Sequence, residues 1–160
     1  MKVLAPLLFL AVLASSCGPD YVYQKSHDFP ESGWAYADSI TFDFEIQDTQ
    51  AIYNLWLHLG HTTAYRNQNL YTRIHTRFPD GSRIAEVLSL EMAGKGGQWK
   101  GACRGQGCHL EIPIQEGAYF NQPGAYQIVI EQYMRRDSVQ GVEQLSFLLE
   151  DTGQKRGNAE

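Results

Sequence analysis

Three cysteines, five histidines and a short run of alternating carboxylates are the groups in this chain that could do chemistry. Cys17 directly follows the small residues Ala14, Ser15 and Ser16, at the end of an apolar run. A thiol at the cut of an export leader is the group needed to form a thioether with a diacylglycerol, so Cys17 reads as a lipidation site. That leaves Cys103 and Cys108 as an even pair in an oxidising compartment, predicted to form a disulfide that closes a glycine-rich loop. Their Cys-x₄-Cys spacing is not the Cys-x-x-Cys of a redox active site. So short a loop adds at most about 2 kcal/mol. His58 and His61 are three apart, the wrong parity for one face of a strand, and His75 and His109 lie on other segments. No spacing matches a zinc site. Asp43, Glu45 and Asp48 read as a solvated strand face rather than a calcium site. There is no Gly-x-Ser-x-Gly, no phosphate loop and no dinucleotide fingerprint, and the glycine run 94–107 has no helix after it to cradle an anion. The reading is a non-enzyme, with no catalytic residue, no metal and no cofactor.

The chemistry at Cys17 depends on what precedes it. Lys2 supplies a positive start, and residues 3–13 are apolar but shorter than the roughly 20 residues of a membrane span. Pro6 interrupts the run. This is the layout of an export leader, with Leu13 one place further out than the usual lipobox leucine and Ala14 in its slot. Residues 1–16 are read as the leader, 17–33 as the lipidated Cys17 and a tether, 34–150 as the folded domain, and 151–160 as a disordered tail. The membrane partner is reached through the lipid, each buried CH₂ contributing about 0.8 kcal/mol.

A net charge of −5, more negative by one without Lys2, gives no electrostatic footprint for nucleic acid. The chain has 15 Gly and is 12% aromatic, a composition of strands and turns. Alternation predicts strands over 39–46, 52–59, 69–78, 82–92, 125–134 and 142–150, with a short edge strand at Leu110, Ile112 and Ile114 limited by Pro113. Ile84, Leu88, Leu90 and Met92 are expected to face inward, and 60–68 is expected to be a polar loop. Pro79-Asp80-Gly81 is a turn signal that joins two strands into a hairpin. No stretch shows a sustained helical period. The predicted fold class is all-β, an antiparallel β-sandwich, jelly-roll-like or immunoglobulin-like.

Several short segments carry a resemblance across most of the chain. They are Cys17, then Tyr65-Arg66-Asn67-Gln68-Asn69-Leu70-Tyr71, Pro79-Asp80-Gly81 and Gly97-Gln98-Trp99-Lys100-Gly101. The closing block is the densest: Gly124-Ala125-Tyr126, Gln132, Met134-Arg135, Asp137 and Gly141-Val142. In order and spacing they resemble the gliding motility-associated lipoproteins of the GldH type, found in Bacteroidota. The Cys103/Cys108 pair departs from that pattern. The resemblance implies an envelope lipoprotein without catalytic residues, an accessory or assembly component of the gliding and type IX secretion apparatus whose partners are other envelope proteins. It implies a location on the periplasmic side of a membrane, with the outer membrane preferred.

Arg135 and Asp137 are the candidate partner-binding residues: this turn either docks a partner or is held by an Arg–Asp pair. A second functional reading is a lipid-anchored carbohydrate-binding sandwich, motivated by Trp34, Trp56 and Trp99, since aromatic faces stack on sugars. A row of coplanar exposed rings would favour it. Cys17→Ala is expected to abolish palmitate labelling of the chain and release it from membranes; labelling that survives the substitution would end the lipoprotein reading.

Overall fold

The computed structural model describes residues 18–157. The leader and Cys17 lie outside the described residues. Eleven strands follow in chain order: β1 Asp20–Asp28, β2 Trp34–Ala35, β3 Ser39–Ile46, β4 Ala51–Thr62, β5 Asn69–Arg77, β6 Arg83–Glu91, β7 Ala102–Arg104, β8 Gly107–Ala118, β9 Gly124–Gln132, β10 Ser138–Val139 and β11 Val142–Lys155.

One sheet has the order β1-β11-β4-β8-β7 and the other β3-β9-β5-β6. The strand pairings within both sheets are all antiparallel. The chain crosses from sheet to sheet at most connections, and the eight long strands form two four-stranded layers in a jelly-roll order. This decides between the two sandwich types that alternation alone leaves open.

The core lies between the layers and follows from period-two patterning. In β3, Ile40, Phe42, Phe44 and Ile46 are buried while Asp43 and Glu45 are exposed. In β4 the alternation is unbroken over 12 residues. Phe44 of β3 links the two layers. Its ring is 5.6 Å from Phe147 of β11, 5.6 Å from Tyr23 of β1 and 5.7 Å from Tyr126 of β9, with which it stacks. Aromatic pairs at such separations contribute about 0.5–1.5 kcal/mol beyond the area they bury.

Four sequence expectations are corrected. The expected tether contains β1, whose residues pair with β11 from Asp20↔Asp151 to Asp28↔Gln144. Its own pattern is weak, and the pairing partner supplies what alternation does not. β4 runs past residue 59 into the expected loop, because His61 is flanked by Val142 on one side and Cys108 on the other. The expected disordered tail begins as strand, with β11 continuing to Lys155. Ile84, expected inward, is 50% exposed, as is Val87 on the opposite face. β6 is an edge strand, and its first five residues, 83–87, are exposed on both faces. The expected inward positions Leu90 and Met92 are buried.

A candidate docking notch at one end of the sandwich

β9 ends at Gln132, and the chain then turns through residues 133–137 into the two-residue β10. Gln132 is 1% exposed. Its Nε2 donates to the Arg136 carbonyl at 2.7 Å, and its Oε1 accepts from the Met134 N–H at 2.9 Å. One buried side-chain amide therefore spans both ends of the turn. Outside it, the Tyr133 N–H donates to the Tyr71 carbonyl at 2.7 Å.

The turn is also fastened to the start of the domain. β10 pairs with β2 through Ser138↔Ala35 and Val139↔Trp34. Trp34 is fully buried, stacks on Phe29 at 4.8 Å and donates from Nε1 to the Asp38 carbonyl. The Tyr36 N–H donates to the Asp137 carbonyl at 2.8 Å.

Past the turn, Gly141 has φ 84°, and a Cβ there would lie 2.8 Å from the Tyr65 backbone nitrogen. Only glycine allows this approach, and the Gly141 carbonyl accepts from the Thr62 N–H. The loop after β4 is thereby laid against the turn. Tyr65 is buried and donates from its hydroxyl to the Asn69 carbonyl at 2.8 Å. Burial pushes its phenol up to about 12, against smaller opposing effects of Asn67 and Arg136.

Between loop and turn lies a notch of about 190 Å³, lined by Ala64, Arg66, Asn67, Arg136, Ser138, Val139 and Gln140. It brings together two segments about 70 residues apart, both singled out by the sequence resemblance. Arg66, Arg135 and Arg136 lie at this end of the sandwich, Arg135 and Arg136 side by side on the turn and Arg66 across the notch from them. The ion pairs among the described residues are His75–Glu131, Lys100–Glu91 and Lys155–Asp48. Thus Arg135 and Asp137 do not form the pair considered as one way to hold the turn. Gln132 holds it instead, and no local sequence signal marks a glutamine as a buried brace. Arg135 has φ 56°, a conformation costing a non-glycine residue roughly 1–2 kcal/mol.

The other sequence candidates lie elsewhere. Cys103 and Cys108 face each other in the β7–β8 hairpin, with sulfurs at 2.05 Å. Asp43 accepts from Gln127, and Asp48 pairs with Lys155 and caps Gln50, so these carboxylates serve separate contacts. Lys155 and the Gln50 N–H hold the Asp48 carboxyl below its usual range.

Residues 21–147 match the family described as GldH lipoprotein. The chain belongs to the GldH lipoprotein family. It is 27% identical over 139 residues to a gliding motility lipoprotein GldH homolog of Christiangramia forsetii, covering 86% of this chain and 85% of that one. It is also 27% identical over 140 residues to the gliding motility lipoprotein GldH of Flavobacterium johnsoniae, covering 87% and 86%. Among solved structures, 93% of this chain aligns with 19% of a family GH115 4-O-methyl-α-glucuronidase at 14% identity and a TM-score of 0.46.

Gln132→Ala leaves the Met134 N–H and Arg136 carbonyl without their partner at a buried site. The expected loss is roughly 1–3 kcal/mol, measured by chemical denaturation of the purified chain. An unchanged unfolding midpoint would show that the turn does not depend on this amide.

Proposed function

We propose that this protein is an envelope lipoprotein, anchored through Cys17, that serves gliding motility and type IX secretion by protein contact rather than by catalysis. Its anchor sits on the periplasmic side of a membrane, the outer membrane preferred. The leader, which reads as a lipoprotein signal, and the lipoprotein name carried by the relatives support this. The GldH lipoproteins are not a known enzyme family. The partner we propose is an acidic segment of another envelope protein.

The observation carrying this reading is the notch itself. Two arginines, Arg66 and Arg136, line it, and Arg135 precedes Arg136 on the same turn, in a chain whose net charge is −5. Among the described residues none of them has an ion pair. Guanidinium groups suit carboxylates because they can donate two parallel hydrogen bonds. The segment carrying two of them is braced by Gln132 and Trp34, so its shape is set before a partner arrives, which lowers the ordering cost of binding. The carbohydrate reading lacks a comparable feature. Trp34 is fully buried, the Trp56 Nε1 is held by Glu150 and Trp99 packs against His61. The three rings form no exposed row.

The positive φ at residue 135 allows a test that does not depend on unfolding. Arg135→Gly removes the guanidinium while suiting the backbone, and Arg136→Glu reverses the neighbouring charge. Both variants are expected to melt no lower than the parent yet to fail in restoring gliding or secretion to a strain lacking the protein. Restoration in proportion to protein level alone would sink the docking reading.

A further inference from the structure

The outer face of the five-stranded sheet carries a group of side chains that the docking reading does not use. His58 points outward from β4. Glu111 of β8 is its direct cross-strand partner, and His109 lies two residues earlier on the same face, opposite Gly60. One ligand atom from each of the three residues can be chosen so that all lie within 4.8 Å of one another. Sequence spacing conceals this set, because the residues come from two strands about 50 positions apart and meet only through the β4–β8 register.

From this geometry we infer a divalent metal site, selective for zinc or a similar borderline transition ion, held by His58, His109 and Glu111. Two imidazole nitrogens and one carboxylate oxygen are a donor set that zinc favours, whereas calcium and magnesium prefer all-oxygen sites. Small side-chain rotations bring the donors to about 3.3 Å apart, the edge of a tetrahedron with metal–ligand bonds near 2.0–2.1 Å.

His58 adds an independent observation. Its Nε2 is buried and has no hydrogen-bond partner. The residue opposite it across the β11 pairing is Ser146, whose hydroxyl is bonded to that of Ser26 at 2.8 Å and not to His58. A buried imidazole nitrogen without a partner is costly, and a metal ion bound at that nitrogen would satisfy it. Burial also lowers the His58 pKa, with a smaller effect of the same sign from His109 and an opposing one from Glu111. The neutral ring is the form that ligates.

The surroundings suit a site that is held yet open. Tyr21 stands edge-on to His58 at 6.4 Å and forms one wall. Gly60 presents no side chain beside His109. Cys108 directly precedes His109, so the disulfide to Cys103 restrains the strand that supplies two of the three ligands. His109 and Glu111 are exposed, which leaves the remaining coordination position to water or to a donor from another molecule.

The test is equilibrium dialysis of the full chain in detergent against buffered zinc, with free thiols alkylated and the disulfide intact, followed by metal analysis. One zinc per chain is expected, accompanied by a higher melting temperature. His109→Gln and Glu111→Gln, both at exposed positions, should each weaken binding by more than ~10-fold. His75→Gln, on the other sheet, should leave it unchanged. Failure to bind stoichiometric zinc, or binding that survives both His109→Gln and Glu111→Gln, would overturn the site.

Discussion

The contact between Phe44 and Phe147 is the constraint on which the rest of the molecule depends. It joins an edge strand of one sheet, β3, to an inner strand of the other, β11, and Tyr23, Phe42 and Tyr126 complete the cluster around it. With these rings seated, β3 and β9 are fixed in one layer against β1 and β11 in the other, and β4 follows through its pairing with β11. Losing a large ring from such a core typically costs about 3–5 kcal/mol, a substantial part of a domain's roughly 5–15 kcal/mol. The ends of the sandwich are then free to carry loops whose shape is set by smaller polar devices.

At the notch those devices are a buried amide, a buried indole and one glycine. Gln132 spans the turn, Trp34 pins β10 through β2, and Gly141 lets the loop after β4 approach. None of them is a charge. The arginines can therefore be changed without removing what holds the loop, which makes a division between support and recognition physically possible. The same separation holds on the outer sheet face, where the β4–β8 register and the Cys103–Cys108 hairpin position His58, His109 and Glu111.

Strands with a strong alternation are legible from the order of residues alone. β3, β9 and β11 carry runs of apolar residues at every second position, and β5 alternates Leu70 and Ile74 with threonines, because each has one face against the core. β1 is not legible in this way: apart from Val22 and two tyrosines it is polar, and it is strand because β11 offers a free edge. The strand character of His61 is hidden by its polar type, although its place after Leu57 and Leu59 keeps the parity of the buried face. Ile84 shows the reverse error, an apolar residue in correct alternation on the uncovered start of an edge strand. At the site, the two contributing segments can be named from sequence, but their meeting depends on Gly141 and their support on Gln132. Neither residue type announces such a role. The His58 cluster escapes sequence reading for the same reason: cross-strand register is not written in linear spacing.

The central claim is that the braced turn and its arginine-lined notch form the contact surface of this lipoprotein. Position-specific photocrosslinking in the native envelope addresses it most directly, with the reactive side chain placed at Gln140 on the notch or at Ile84 on the far hairpin. The account predicts a discrete crosslinked partner from position 140, diminished by Arg136→Glu, and none from position 84. Equal crosslinking from both positions, or a product from 140 indifferent to Arg136→Glu, would contradict it.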